Sequence, residues 1–106
     1  MSESLSIAEA QLRALMLAAL AGDGNAQHAL LSQLAERLRV FYRRRLGHDV
    51  AVVEDLVQEA LIAVHTRRET YDPAQPLTGW VYAIARYKLA DCFRRSQRRH
   101  GVCPAL

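Results

Sequence analysis

The sequence predicts an all-α fold, a compact four-helix bundle. Apolar residues recur at three- and four-residue spacing in four separate runs. Glycine and proline gather between those runs rather than inside them, and β-branched stretches are short. The connections are also short, as neighbouring helices of a bundle require. The 106 residues, about half of them apolar (51%), suffice for one domain with a core and are too few for two.

The first helix is expected over residues 6–21. Ser6 followed by Glu9 fits a capping box, and Leu12, Leu15, Met16, Ala19 and Leu20 share one stripe. Gly22-Asp23-Gly24 stops it, with Asp23 or Asn25 as cap for a second helix over 25–46. Leu30, Leu31, Leu34, Leu38, Phe41 and Tyr42 form the buried face of that helix. Its closing Arg43, Arg44 and Arg45 suit the negative end of the macrodipole, or a solvated basic end. The third helix, 49–68, carries the unbroken i, i+3, i+4 series Val53, Leu56, Val57, Ala60, Leu61 and Val64. Pro73 and Pro76 exclude a helix through TYDPAQPLTGW, residues 70–80. The fourth helix starts at 77 or 78 and runs to 99, with Thr78 as a candidate cap. Leu77, Val81, Ile84, Ala85 and Cys92 lie on its core stripe, which Tyr82, Leu89 and Phe93 widen.

Net charge is only +3, but it is unevenly distributed. Residues 34–48 carry five arginines against Glu36. Residues 49–66 carry four acids and no Lys or Arg. Residues 76–106 carry six bases against Asp91. An acidic helix is thus flanked by two basic blocks. At 100° per residue, Asp55, Gln58, Glu59 and Ile62 fall opposite the core stripe of the third helix. One exposed isoleucine is ordinary on a solubilising face. An aliphatic anchor in an acidic rim also suits docking onto a basic protein groove, and acids disfavour phosphates there. On the fourth helix, Trp80, Ala83, Tyr87, Ala90 and Arg94 run up one side with Arg86 beside them. Aromatics interleaved with arginines suit single-stranded nucleic acid, and a ring beside an opened pair can act as a wedge. Packing alone is the alternative for Trp80 and Tyr87. Lys88 turns toward the core stripe and is expected to snorkel or to pair with Asp91. FRRSQRR adds a generic polyanion footprint.

No secretory signal is recognisable, and LMLAALAG (15–22) is too short to span a bilayer, so a cytoplasmic protein without membrane insertion is expected. Cys92 reads as a small core residue. Cys103 lies in the tail with His100, a spacing that supplies only two metal ligands. No cofactor motif or catalytic constellation occurs, so neither a cofactor nor an enzymatic activity is expected.

AGDGNAQHALL, RRRLG, EDLVQEALIAVH and YDPAQPLTGWVYAIARYKLADCFRR, in that order, resemble region 2 of bacterial sigma factors of the extracytoplasmic-function (ECF) group. The likeness covers residues 20–99, within a domain of residues 1–99. DLVQE, the Trp after a short proline loop, and IAR stand in register. The resemblance implies a transcription initiation factor. It implies that Asp55, Gln58, Glu59 and Ile62 dock on the clamp helices of the RNA polymerase β′ subunit. It implies recognition of the promoter −10 element as non-template single strand. In that role stand Tyr71, Asp72, Gln75, Leu77, Thr78, Trp80, Arg86 and Tyr87, with Lys88, Asp91, Arg94 and Arg95. An extruded base would enter a pocket made mainly by the loop, and an anti-sigma factor would cover both faces until a signal arrives. Tyr87 stands where many members of the group have Asn. The group also has a second, −35-reading helical domain, so residues 100–106 read as the start of an interdomain linker or a tail. Two other readings of the residues are a duplex-binding helical repressor and a helical protein-interaction module.

Overall fold

In the computed structural model the described residues are 3–99, with side chains described for 7–96. Four helices follow one another: α1 Glu3–Leu20, α2 Gly24–Leu46, α3 Val50–Thr66 and α4 Leu77–Arg99, with a 3₁₀ turn at Arg68–Thr70 before α4. The all-α bundle expected from the periodicity is therefore observed, and no strand occurs among the described residues.

Local chemistry sets the joints. Gly22 takes φ 102°, a left-handed value that suits glycine, and lets the chain fold back over the end of α1. The N–H groups of Gly22 and Asp23 then donate to Ala19 and Ala18 carbonyls, each at 3.0 Å. Asp23 caps α2 by accepting from Ala26 N–H at 3.1 Å, and Asp49 caps α3 by accepting from Val52 N–H at 3.2 Å. Gly47, at φ 68°, closes α2. The third helix stops at Thr66, two residues before its expected end, and the chain tightens into the 3₁₀ turn.

One continuous core joins all four helices. Leu12 and Met16 of α1, Leu34 and Leu38 of α2, and Leu56 and Val57 of α3 are almost fully buried, with Leu77 and Val81 of α4. Tyr42 is completely buried, and its hydroxyl donates to the Ala85 carbonyl at 2.8 Å. That bond satisfies the polar tip of the α2 ring inside the core and pins α2 to the middle of α4. Burial, helped by the negative charge of Glu59 and by Cys92, pushes the Tyr42 phenol well above its ordinary pKa. Between α2 and α3, Arg39 donates to both Glu54 carboxylate oxygens, at 2.6 and 3.1 Å, and also reaches Glu36 at 2.9 Å.

Two caps differ from expectation. The α1 helix begins at Glu3, so Ser6 lies inside it rather than at its N-terminal boundary, where a capping box would need it; the Ser6 side chain lies outside the described residues. Thr78 is inside the first turn of α4 rather than ahead of it. The cap of α4 comes from another helix. The carboxylate of Glu9 accepts from Leu77 N–H at 2.6 Å and from Thr78 N–H at 3.0 Å, across 68 and 69 residues of sequence. A negative group at that end also complements the α4 dipole. Burial raises the Glu9 pKa, but the Thr78 and Leu77 hydrogen bonds and the Arg13 charge outweigh it and leave the value lowered.

Glu9→Ala is expected to destabilise the domain by about 1–2 kcal/mol in urea denaturation, the usual cost of losing a cap that holds backbone donors. Because the folded pKa is lowered, the stabilisation is complete above the ordinary value of 4.5 and is lost as pH falls through the folded value. The stability gap between wild type and Glu9→Gln should accordingly shrink below that pH, whereas a gap that stays constant on acidification would rule out the carboxylate as the source.

Candidate functional site

The outer face of α3 is built as the periodicity requires. With Val53, Leu56, Val57, Ala60 and Val64 turned into the core, Asp55, Gln58 and Ile62 are exposed, Ile62 at 60%. An isoleucine that open, with Gln58 one turn and Asp55 two turns away on the same face, is a candidate contact anchor. Glu59, expected on the same face, is only half-exposed. Both of its carboxylate oxygens accept from Arg95 of α4, at 3.4 and 3.5 Å. The Nε of Arg95 lies 3.3 Å from Asp91, an ion-pair distance, although its N–H is not aimed for a hydrogen bond. Arg94 reaches the other Asp91 oxygen at 3.4 Å.

Asp91 is therefore taken by Arg94 and Arg95, not by Lys88 as the i, i+3 spacing suggested. Lys88 instead lines a shallow depression of about 180 Å³ with Glu59, Ile62 and Thr66. It borders the α3 face rather than the aromatic side of α4.

The loop before α4 is held by its own hydrogen bonds. The Tyr71 hydroxyl donates to the Gln75 carbonyl at 2.6 Å, and Asp72 accepts from Ala74 N–H at 2.9 Å. Tyr71 is buried at 4% exposure and its ring lies 5.4 Å from that of Trp80, tilted by 52°. Leu77 is fully buried at 0%. Tyr71 and Leu77 thus shape the loop from below, and neither offers its side chain to a ligand in this arrangement. Asp72 and Gln75 are exposed, and Thr78 and Trp80 are half-exposed.

Farther along α4, Tyr87 stands 54% exposed between exposed Arg86 and Arg94, with the Arg94 guanidinium 5.8 Å from its ring centroid. Ala83 and Ala90 are exposed on the same side. An open ring flanked by cations can stack a base and hold its phosphates. The basic end of α2, by its sequence a dipole complement or a solvated end, approaches this region. Arg37, Arg44, Arg45 and Arg86 line one cleft beside Thr78. The signal is available in the spacing of Arg37, Phe41, Arg44 and Arg45, which puts them on one side of α2.

The remaining titratable features are structural or unassembled. Gln27 and Arg68 approach the two ring nitrogens of His65, at 3.2 and 3.4 Å. Among the described residues no cluster of metal ligands forms, and no helix is long and apolar enough to cross a membrane. Cys92 is half-buried against the core; His100 and Cys103 lie outside the described residues.

Residues 30–99 match the family described as Sigma-70 region 2, well over half of the chain. The chain belongs to that family. Its relatives carry the ECF type. The chain is 50% identical over 94 residues to the ECF RNA polymerase sigma factor SigF of Caulobacter vibrioides, covering 89% of this chain and 52% of that protein. It is 37% identical over 93 residues to the ECF RNA polymerase sigma factor ShbA of Streptomyces griseus, covering 83% of this chain and 49% of that one. The chain spans about half the length of these curated relatives. An NMR structure of an engineered region 2 of sigmaE, in complex with GTAAAA, shares the fold. The TM-score is 0.75 at 24% identity, covering 96% of this chain and 100% of that one. Sigma factors are transcription initiation factors and not enzymes.

The Glu59–Arg95 link is long and half-exposed, so it should contribute little to stability. A double-mutant cycle with Glu59→Gln and Arg95→Ala is expected to give a coupling of about 0.2–1 kcal/mol that fades in high salt. A larger coupling that survives high salt would show the pair to be a main structural tie between α3 and α4.

Proposed function

We propose that this domain docks on core RNA polymerase through α3 and holds the promoter −10 element as non-template single strand on α4 and the loop before it. The observation that carries the reading is the separation of two chemically opposite faces. On α3, Ile62 stands open beside Asp55 and Gln58. On α4, Tyr87 stands open between two arginines. The first face repels phosphate and fits a basic protein surface such as the clamp helices of the β′ subunit. The second attracts phosphate and presents a ring to an unpaired base. Family membership supports both assignments, and the engineered sigmaE region 2 solved in complex with GTAAAA supports the second.

Each residue then has a defined task. Ile62 is the apolar anchor, Asp55 and Gln58 its polar rim, and Glu59 a rim residue oriented by Arg95. Trp80, braced by Tyr71, is the wedge beside the first opened pair. Tyr87 stacks a base, while Arg86 and Arg94 hold the backbone. Asp72, Gln75 and Thr78 read the extruded base from the loop, and Tyr71 and Leu77 set the loop's shape. The domain works in the cytoplasm, and an anti-sigma factor that covers both faces would keep it idle.

Ile62→Asp should weaken capture of a β′ clamp-helix fragment at least about tenfold in a pull-down titration, the order expected for a buried apolar anchor, and Gln58→Ala should weaken it less. Undiminished binding by both variants would sink the docking assignment. On the DNA side, Tyr87→Ala should weaken binding of single-stranded GTAAAA by roughly 5- to 150-fold, the range for loss of one base stack. Equal affinity for the same sequence as duplex would favour a duplex-binding role instead.

A further inference from the structure

The C-terminal half of α2 is strongly charged, and neither face described above uses it. Arg39 is committed to Glu36 and Glu54. Arg37, Arg44 and Arg45 are not. With Arg86 they surround an open cleft of about 470 Å³ between α2 and the first turns of α4. No acid lines this cleft, and among the described residues no carboxylate lies within ion-pair distance of these four guanidinium groups. Four like charges around one concavity repel one another, and a polyanion relieves that repulsion.

The cleft also has an aromatic wall. The rings of Phe41 and Tyr82 lie 5.2 Å apart with a 37° tilt. The Arg45 guanidinium sits over Phe41, 3.7 Å from the ring centroid, and donates to the Phe41 carbonyl at 3.1 Å. Arg45 is thus held in place while the residue stays exposed. A fixed guanidinium plane and a half-exposed Tyr82 suit the flat face of an unpaired base, which a duplex hides inside its stack. Thr78 and Arg86 belong both to this cleft and to the proposed strand face of α4, so the two surfaces are continuous.

We infer that the α2–α4 cleft is a second subsite for single-stranded nucleic acid, indifferent to sequence. It seats the phosphates of nucleotides that run on past Tyr87 and the loop, with a base against Arg45 or Tyr82. The inference rests on the single-strand reading of the α4 face and extends its footprint to α2.

The test is fluorescence anisotropy on the 106-residue chain. The probes are single-stranded GTAAAA, the same hexamer with a hexathymidine extension at its 5′ or its 3′ end, and a decaglutamate peptide. One extended probe should bind at least about fivefold tighter than the hexamer, and that gain should fall steeply with salt. Arg44→Ala should abolish the gain and lower the salt slope by about 0.7, the value for one single-strand phosphate contact, while leaving hexamer affinity unchanged. Arg43→Ala removes the same charge one residue away but outside the cleft, and should leave the gain intact. Hexamer binding without a gain from either extension overturns the cleft and spares the α4 reading. Equal losses in Arg43→Ala and Arg44→Ala also overturn the cleft, since they show only a diffuse basic end. Binding of an extended probe that depends on Arg44 but is unchanged in Tyr87→Ala keeps single strand in the cleft but overturns the α4 reading and, with it, the inferred continuous footprint. Arg44-dependent binding of decaglutamate alone overturns the inference in favour of an acidic protein segment, and no binding of any probe overturns both readings.

Discussion

The first backbone N–H groups of a helix have no partner within that helix, and the proposed nucleic-acid side of this domain hangs from a helix whose first donors are satisfied from across the bundle. The start of α4 follows a loop with two prolines, and the Glu9 carboxylate of α1 supplies the acceptors for Leu77 and Thr78 N–H. Leu77, placed by that cap, is sealed in the core, and Trp80 one turn on leans against Tyr71. Tyr71 in turn ties down the loop through the Gln75 carbonyl. The exposed loop residues Asp72 and Gln75 are therefore presented from a fixed base. The α1 helix contributes little to either candidate face; it buttresses the N-terminal end of α4.

A second constraint keeps the two faces apart. Tyr42 reaches across the core to the Ala85 carbonyl, and α3 packs its aliphatic stripe beside it. With α3 and α4 both locked by their buried stripes, the remaining sides cannot rotate to mix. Acids and Ile62 stay on one side, arginines and Tyr87 on the other. At the seam, Arg95 draws Glu59 and Asp91 together. A base expected on DNA is thereby partly committed to holding an acid expected on protein. Such a half-exposed link is weak, so it orients side chains more than it stabilises the fold.

Much of this is readable in the sequence because it follows from short-range rules. Asp23, Asp49 and the glycine stops act within four residues of their targets, so the helix ends are legible. The core stripes are legible because burial in a bundle imposes a 3.6-residue period. Glu9 is misassigned by sequence because a capping box and a long-range cap use the same residue type, and only the partner's position separates them. Of the two fates expected for Lys88, snorkelling or pairing with Asp91, the pairing is not observed, because i, i+3 spacing on a helix permits a pair without selecting it. Two arginines on the following turn compete for the same carboxylate and take it.

The sequence by itself determined the helical class, the approximate limits of the four helices, and the opposed chemistry of the α3 and α4 outer faces. It did so because periodicity, capping and local charge are properties of neighbouring residues. Only the tertiary structure decided that Glu9 holds the start of α4, that Tyr71 and Leu77 lie beneath the site, and that the arginines of α2 share a cleft with Arg86. Each of these depends on groups tens of residues apart, and their meeting is set by how the helices cross rather than by any pattern along the chain.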